Sequence, residues 1–260
     1  MKLSIKSCKW DEIKALVASN IKENRMTIDS FLEDHIINSN HYKITCENEI
    51  VGYFCIYNSL KLVGFYIVPY YSNLSQQVFS EVKKYEEVNS AMVPTSDEYF
   101  FSHCLDNYST LSKQAYFSIY TDKEYDMGYF HELEVCPVVT EEDIKSLSFS
   151  GDFFSEEDKD KLREMNYYKA FVMKHGKNVI GCGCIEYGRV DKSIASTGMF
   201  VSPDYRQMGY GKSILKALQL RVESEGYIAR SGCWYYNNNS KKSMESAGAY
   251  SKTRLMNFEF

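Results

Sequence analysis

One stretch of this sequence is written twice, and the repetition limits what the chain can fold into. Phe65-Tyr66-Ile67-Val68-Pro69-Tyr70-Tyr71 and Met199-Phe200-Val201-Ser202-Pro203-Asp204-Tyr205 each end an apolar strand at a proline. Each then passes through a short polar turn into an amphipathic helix, expected over 74–84 and 212–225. A strand pair of the same grammar precedes each copy, 42–45 with 49–54 and 170–174 with 178–183. Asn-Glu-Ile-Val-Gly, ending at Gly52, and Lys-Asn-Val-Ile-Gly, ending at Gly181, read as the same tight turn into a strand. The 260 residues are therefore read as a tandem of one α/β unit, each copy long enough for a core of its own. The polar run Thr121-Asp122-Lys123-Glu124-Tyr125-Asp126 marks the boundary, giving domains 1–126 and 127–260. No Gly/Ser-rich or proline-rich linker separates them, which points to packed rather than tethered domains.

The copies differ where it matters chemically. With Pro69 set against Pro203, Ser72 faces Arg206, Ser75 faces Gly209 and Gln77 faces Gly211. In the second copy the two glycines sit where a strand hands over to a helix. There, absent Cβ atoms let a ligand approach the main chain, and the free N–H groups and positive dipole end of the helix favour an anion. A phosphate ester is the expected guest. Gly211-Lys212-Ser213 also copies the last three residues of a nucleotide P-loop, but the first glycine of that motif falls on Arg206 and no acidic metal ligands follow. The first copy lacks the glycines, so no coenzyme is expected there. Only Gly52 and Gly64 of the 14 glycines precede residue 128.

The flanks of the glycine loop resemble the GNAT superfamily of N-acetyltransferases. The resemblance rests on V-x-P-x-x-R-x-x-G-x-G at Val201, Pro203, Arg206, Gly209 and Gly211, then the amphipathic helix. A strand over 228–236 follows, ending in Asn237-Asn238-Asn239-Ser240, with Gly248 eight residues beyond Ser240. It covers roughly residues 127–260. It implies an α/β (α+β) fold of two GNAT-like domains in tandem, each a mixed, largely antiparallel twisted sheet flanked by helices. The first domain would be a degenerate copy that shapes or covers the substrate site, or provides stability. By the same resemblance the co-substrate is acetyl-CoA. Its pyrophosphate would lie on the main-chain N–H groups of Gln207, Met208, Gly209, Tyr210 and Gly211, with Arg206 and Lys212 also among the coenzyme-binding residues. Its pantetheine arm would pair with Met199, Phe200 and Val201 and pass Asn237 and Ser240. The implied reaction moves an acetyl or short acyl group to a primary amine of a small molecule, peptide or protein; the alternative is an acyl-CoA binding or sensing protein without transfer chemistry.

An attacking amine must be neutral, so such a site has to take up a proton and return one to the departing thiolate. The family's usual glutamate would fall at Ala195, Ser196 or Thr197, and its usual tyrosine at Met244; this chain has neither. Substitutes are sought nearby. Glu186 shares a strand face with Cys182 and Cys184 by alternation and is the candidate base. Tyr235 and Tyr236, entering Asn237, are candidate proton donors, with Tyr236 preferred, and Trp234 reads as core. Positioning of two substrates alone also supplies much of the acceleration.

Composition excludes more than it identifies. A net charge of −5 with mixed signs argues against a nucleic-acid or anionic-membrane surface. The N-terminus lacks the continuous apolar run of a signal peptide, and no window is apolar enough to span a bilayer. Cys182 and Cys184 form C-x-C and the other cysteines stand singly. They read as small buried residues of a reduced, cytoplasmic protein. The five histidines show no ligand spacing, so no metal is expected. The chain is expected to act as a monomer or homodimer.

Overall fold

The computed structural model describes residues 3–85, 88–121 and 131–260. The expected boundary at 122–128 lies outside the described residues. By its contacts the chain forms two compact units, Met1–Ala115 with Thr253–Phe260, and Tyr116–Lys252.

The elements run β1 (Leu3–Cys8), α1 (Trp10–Glu23), α2 (Ser30–Ile37), β2 (Asn40–Cys46), β3 (Glu49–Tyr57), β4 (Lys61–Ile67), α3 (Ser75–Val82), β5 (Ser90–Pro94), α4 (Glu98–Leu105) and β6 (Thr110–Tyr120). They continue as β7 (Glu134–Pro137), α5 (Glu141–Ser146), α6 (Glu156–Glu164), β8 (Tyr168–His175), β9 (Asn178–Tyr187), β10 (Ile194–Val201), α7 (Tyr210–Ser224), β11 (Ile228–Trp234), α8 (Asn238–Ser246) and β12 (Ala249–Glu259). Each half thus runs strand, two helices, three strands, helix, strand, helix, strand. Short 3-10 turns follow β4 (Pro69–Leu74) and β10 (Pro203–Tyr205), and another, Leu147–Phe153, follows α5.

In the first unit β1 to β4 form an antiparallel meander and β5 lies parallel to β4. The last residues of the chain then pair antiparallel with β5, from Leu255↔Pro94 to Glu259↔Ser90. The core gathers Phe54, Phe65, Phe79, Phe100 and Phe258, all fully buried. In the second unit β7 to β10 are antiparallel and β11 is parallel to β10. Ile214, Leu218 and Val222, one face of α7, pack on Phe171, Ile185 and Ala195 of the sheet. Phe154 and Leu147 cover Tyr168, Ala170 and Cys182. Thr140 and Ser155 open α5 and α6 with capping boxes to Asp143 and Asp158, as the acidic first turns suggest.

The repetition read in the sequence is repeated bond for bond. Gly52 stands opposite Ile67 and Gly181 opposite Val201, in each case two residues before the proline. Val68 N–H donates to Val51 O at 2.8 Å and Ser202 N–H to Ile180 O at 2.9 Å. Tyr71 N–H donates to Val68 O, and Tyr205 N–H to Ser202 O, both at 2.9 Å. At both glycines a Cβ would collide with a carbonyl of the next strand, Tyr66 O at 2.4 Å and Phe200 O at 2.1 Å. Close backbone approach, rather than an unusual φ, explains these residues. Among the described residues no helix is long and apolar enough to cross a membrane.

Candidate functional site

Strand pairing itself opens the site. β10 follows β9 to its end at Val201↔Gly181, but its parallel register with β11 stops at Thr197↔Ser231. From Gly198 onward the two strands part. The gap is a cavity of about 720 Å³ whose apex is Thr197 and Ser231 and whose mouth is the turn before α7. All of the residues expected to hold the coenzyme line it except Met208 and Tyr210. Arg206, Lys212 and Lys242 are among the lining residues, and among the described residues no Asp, Glu or His lines it. A cavity with this charge suits a polyanion.

The mouth is a cradle by conformation as well as charge. Gly209 sits at the start of α7 with φ 86°, in the left-handed region, and no side chain among the described residues caps the helix. Gln207 adopts φ 62° in the same turn. The first helical carbonyl bond runs from Ser213 N–H to Gly209 O, so the amides of Tyr210 and Gly211 precede the helical bonding pattern and point out of the N-terminus. Gly211 has a different reason to be glycine: a Cβ there would lie 2.9 Å from Ser243 Oγ on α8 and 3.4 Å from Met199 Cε. Tyr210 turns away from the cavity, its hydroxyl 2.7 Å from His175 Nδ1 and its ring stacked on His131 at 4.0 Å. His131 Nε2 lies 2.7 Å from Met208 O, bracing the turn from behind, while the Met208 side chain is exposed. Arg206 donates from Nε to Val201 O at 3.1 Å and lies over the Phe200 ring.

The asparagine motif proves to be one helix, capped at both ends. Asn237 Oδ1 accepts from Ser240 N–H at 3.0 Å, which makes it the N-cap of α8. Gly248 follows the helix with φ 90°. Asp97 caps α4 in the same way, accepting from Phe100 N–H at 3.1 Å. Aligning the caps sets Tyr99, Phe100 and His103 against Asn239, Ser240 and Ser243, which line the cavity; Phe65 already stands against Met199. In the first unit these larger side chains pack together: Phe65 lies 5.0 Å from Phe79, 5.2 Å from His103 and 6.0 Å from Tyr99. The turn there differs too. Pro69–Leu74 runs directly into α3 in right-handed geometry, Ser75 N–H being donated to Ser72 O. The scaffold is kept, the cradle is absent and rings occupy the space between the same three elements.

The two catalytic candidates lie apart from the cavity lining. Glu186 is buried at the far end of β9, paired with Tyr168 and Ser196, its carboxylate 4.0 Å from the Arg189 guanidinium. Tyr236 is exposed beyond β11, its ring 5.0 Å from Trp234. Trp234, read as core, is instead exposed and lines the cavity. Cys182 and Cys184 share one face as alternation requires, and burial pushes both thiols up to about 12. All eight cysteines are unpaired, and no metal-ligating cluster occurs among the described residues.

A group absent from the sequence reading sits at the apex. Tyr120 Oη lies 2.8 Å from Ser231 Oγ, which lies 2.7 Å from Thr197 Oγ1, and Thr197 donates to Arg230 O at 3.1 Å. These residues are far apart in the chain, and no spacing links them.

Geometry and composition together define a tandem α/β protein in which one unit opens between two parallel strands below a glycine-bearing turn at a helix N-terminus, while rings pack between the corresponding elements of the other. Residues 9–121 match a family model described as an acetyltransferase (GNAT) domain, and residues 166–252 match a second model of the same description. The chain belongs to the GNAT superfamily, with one such domain in each half. Solved structures share the fold. An acetyltransferase from the GNAT family of Colwellia psychrerythraea is 18% identical with a TM-score of 0.85, 99% of each chain being covered. A tandem GNAT protein from the clavulanic acid biosynthesis pathway is 10% identical at a TM-score of 0.64, covering 99% of this chain and 98% of its own. A GCN5-related N-acetyltransferase from Sphaerobacter thermophilus is 10% identical at 0.65, covering 98% and 94%. No curated protein matches the chain.

Proposed function

We propose that residues 127–260 bind acetyl-CoA and transfer its acetyl group, or a related short acyl group, to a primary amine of a small molecule, peptide or protein. Residues 1–126 form a degenerate copy with no coenzyme site of its own, the end of β6 from Tyr116 to Tyr120 belonging to the second unit. One observation carries the reading: a helix N-terminus opened by left-handed Gly209 stands at the mouth of a cavity that Arg206, Lys212 and Lys242 line and that no carboxylate lines among the described residues. The amides from Gln207 to Lys212 would hold the pyrophosphate. The edge of β10 from Gly198 to Val201, which β11 leaves unpaired, would meet the pantetheine amides. Asn237 and Ser240 would border the arm, the asparagine acting through the helix it caps. Eight unpaired cysteines support a reduced, cytoplasmic setting.

Among the described residues no carboxylate or imidazole lines the cavity, which favours acceleration by positioning of an acceptor amine that arrives neutral. The same absence keeps a non-catalytic acyl-CoA binding protein as the second reading. Calorimetric titration with acetyl-CoA, followed by thiol release against an amine panel, separates the two. The expected results are one bound acetyl-CoA per chain and acceptor-dependent thiol release; binding without release across the panel selects the sensing protein. Gly209→Glu places bulk and negative charge in the cradle and is expected to abolish binding with the fold intact. Undiminished affinity in that variant overturns the assignment.

A further inference from the structure

The apex of the cavity holds three hydroxyls whose hydrogen bonds run in one direction. Arg230 O can only accept, so the Thr197 hydroxyl proton is committed to it. Thr197 Oγ1 therefore accepts from Ser231, and Ser231 Oγ accepts from Tyr120. Burial holds the Tyr120 phenol above its ordinary value, its hydrogen bonds to Ser231 and Thr197 offsetting this only in part, so it stays protonated as the donor at the head of the chain. Ser231 is the member with a choice. Its oxygen is satisfied by Tyr120, and its own proton can stay on Thr197 or turn to an acceptor in the cavity, which Ser231 lines.

Position gives that choice a use. From Val201 at the cradle to Thr197 at the apex is roughly 13 Å of strand. Thr197↔Ser231 is the last pair before β10 and β11 separate, so a chain entering along the free β10 edge runs out of space against these hydroxyls. The family's tyrosine position is Met244, which is buried.

We propose that Ser231 Oγ, held between Tyr120 and Thr197, is the hydrogen-bond donor to the sulfur that leaves the thioester. The inference rests on the reading of this cavity as an acyl-CoA site. In the reaction the amine nitrogen forms a bond to the carbonyl carbon, the C–S bond breaks with its electron pair on sulfur, and the nitrogen loses one proton to solvent. Sulfur departs as a thiolate accepting from Ser231. Tyr120 and Thr197 are positioning residues.

The test needs no acceptor. The thiol of coenzyme A bound to the protein is titrated by the ultraviolet absorbance of its thiolate, and affinity for desulfo-coenzyme A is measured in parallel. A donor stabilises the thiolate and lowers the thiol pKa. Ser231→Ala is therefore expected to raise the bound thiol's pKa by about one unit, with affinity for desulfo-coenzyme A unchanged. Tyr120→Phe, which removes one oxygen and keeps the ring, is expected to raise it by a smaller amount. The same pKa in the parent and both variants overturns the role of Ser231 and leaves the coenzyme site standing. Failure of the parent protein to bind either coenzyme overturns both.

Discussion

At the residue scale, Asp97 and Asn237 occupy the same capping position in the two units, and only one of them can ionise. Asp97 is buried, and burial pushes its carboxyl from 3.8 up to about 7 even though the Phe100 amide works against the shift. A carboxyl whose folded pKa is raised supports the fold while protonated. That contribution is complete below pH 3.8 and is lost as pH rises through 7, because the folded state binds more protons than the unfolded one over this window. Asp97→Asn keeps the cap, as Asn237 shows, and removes the titration. The first unit of the variant is expected to be more stable than the parent at pH 8, by up to about 4 kcal/mol, and indistinguishable at pH 4. Urea midpoints at the two pH values measure this, and parallel pH profiles would sink it. At the same scale, the surroundings of Glu186 are less legible in the sequence than the turn at Gly209. Alternation correctly put Glu186 on one face with Cys182 and Cys184. Which stretch of that face borders the cavity depends on where β10 and β11 separate, and that is not written locally in β9.

At the scale of elements, motifs with a local cause were legible and those with a distant partner were not. Pro203, Gly209 and Gly248 announce a strand end, a left-handed turn and a helix end through their own backbone preferences. The spacing from Asn237 to Ser240, associated by family resemblance with the pantetheine arm, is an N-cap and its third helical residue. Its first effect is to fix α8, whose Ser243 meets Gly211 and whose Met244 packs on Leu215. Asn237→Ala is expected to destabilise the second unit by about 1 kcal/mol, with Asn237→Asp close to neutral. If the residue acts through the helix, coenzyme affinity falls with helix order in the alanine variant and survives in the aspartate variant. Equal loss of affinity in both, with α8 intact by amide hydrogen exchange, would mark a direct contact instead. By contrast, the apex chain of Tyr120, Ser231 and Thr197 joins three strands, and no window of the sequence contains more than one of its members.

At the scale of the whole molecule, the tandem was legible because the copies repeat side-chain grammar, whereas membership of the units was not. Strand partners are chosen by edge complementarity across the chain rather than by proximity along it, and the last eight residues illustrate this by joining the first unit. Leu255 and Phe258 are fully buried there, and Thr95 N–H donates to Arg254 O at 2.8 Å. Ser109 N–H donates to Glu259 O at 2.7 Å, and Phe260 packs on Phe79 at 5.9 Å. Burying each of the two large side chains contributes about 1.5–3 kcal/mol, and the strand covers the otherwise open edge of β5. Against a domain stability of about 5–15 kcal/mol, losing this segment removes a large share of the total. Deleting Thr253–Phe260 is therefore expected to leave β5 and β4 without slow-exchanging amides, although every residue of 1–115 is present. Hydrogen exchange on the deletion chain decides the matter. Retained protection in β5 would show that the first unit folds from its N-terminal residues alone, and that the returning strand is an addition to its sheet rather than part of its core.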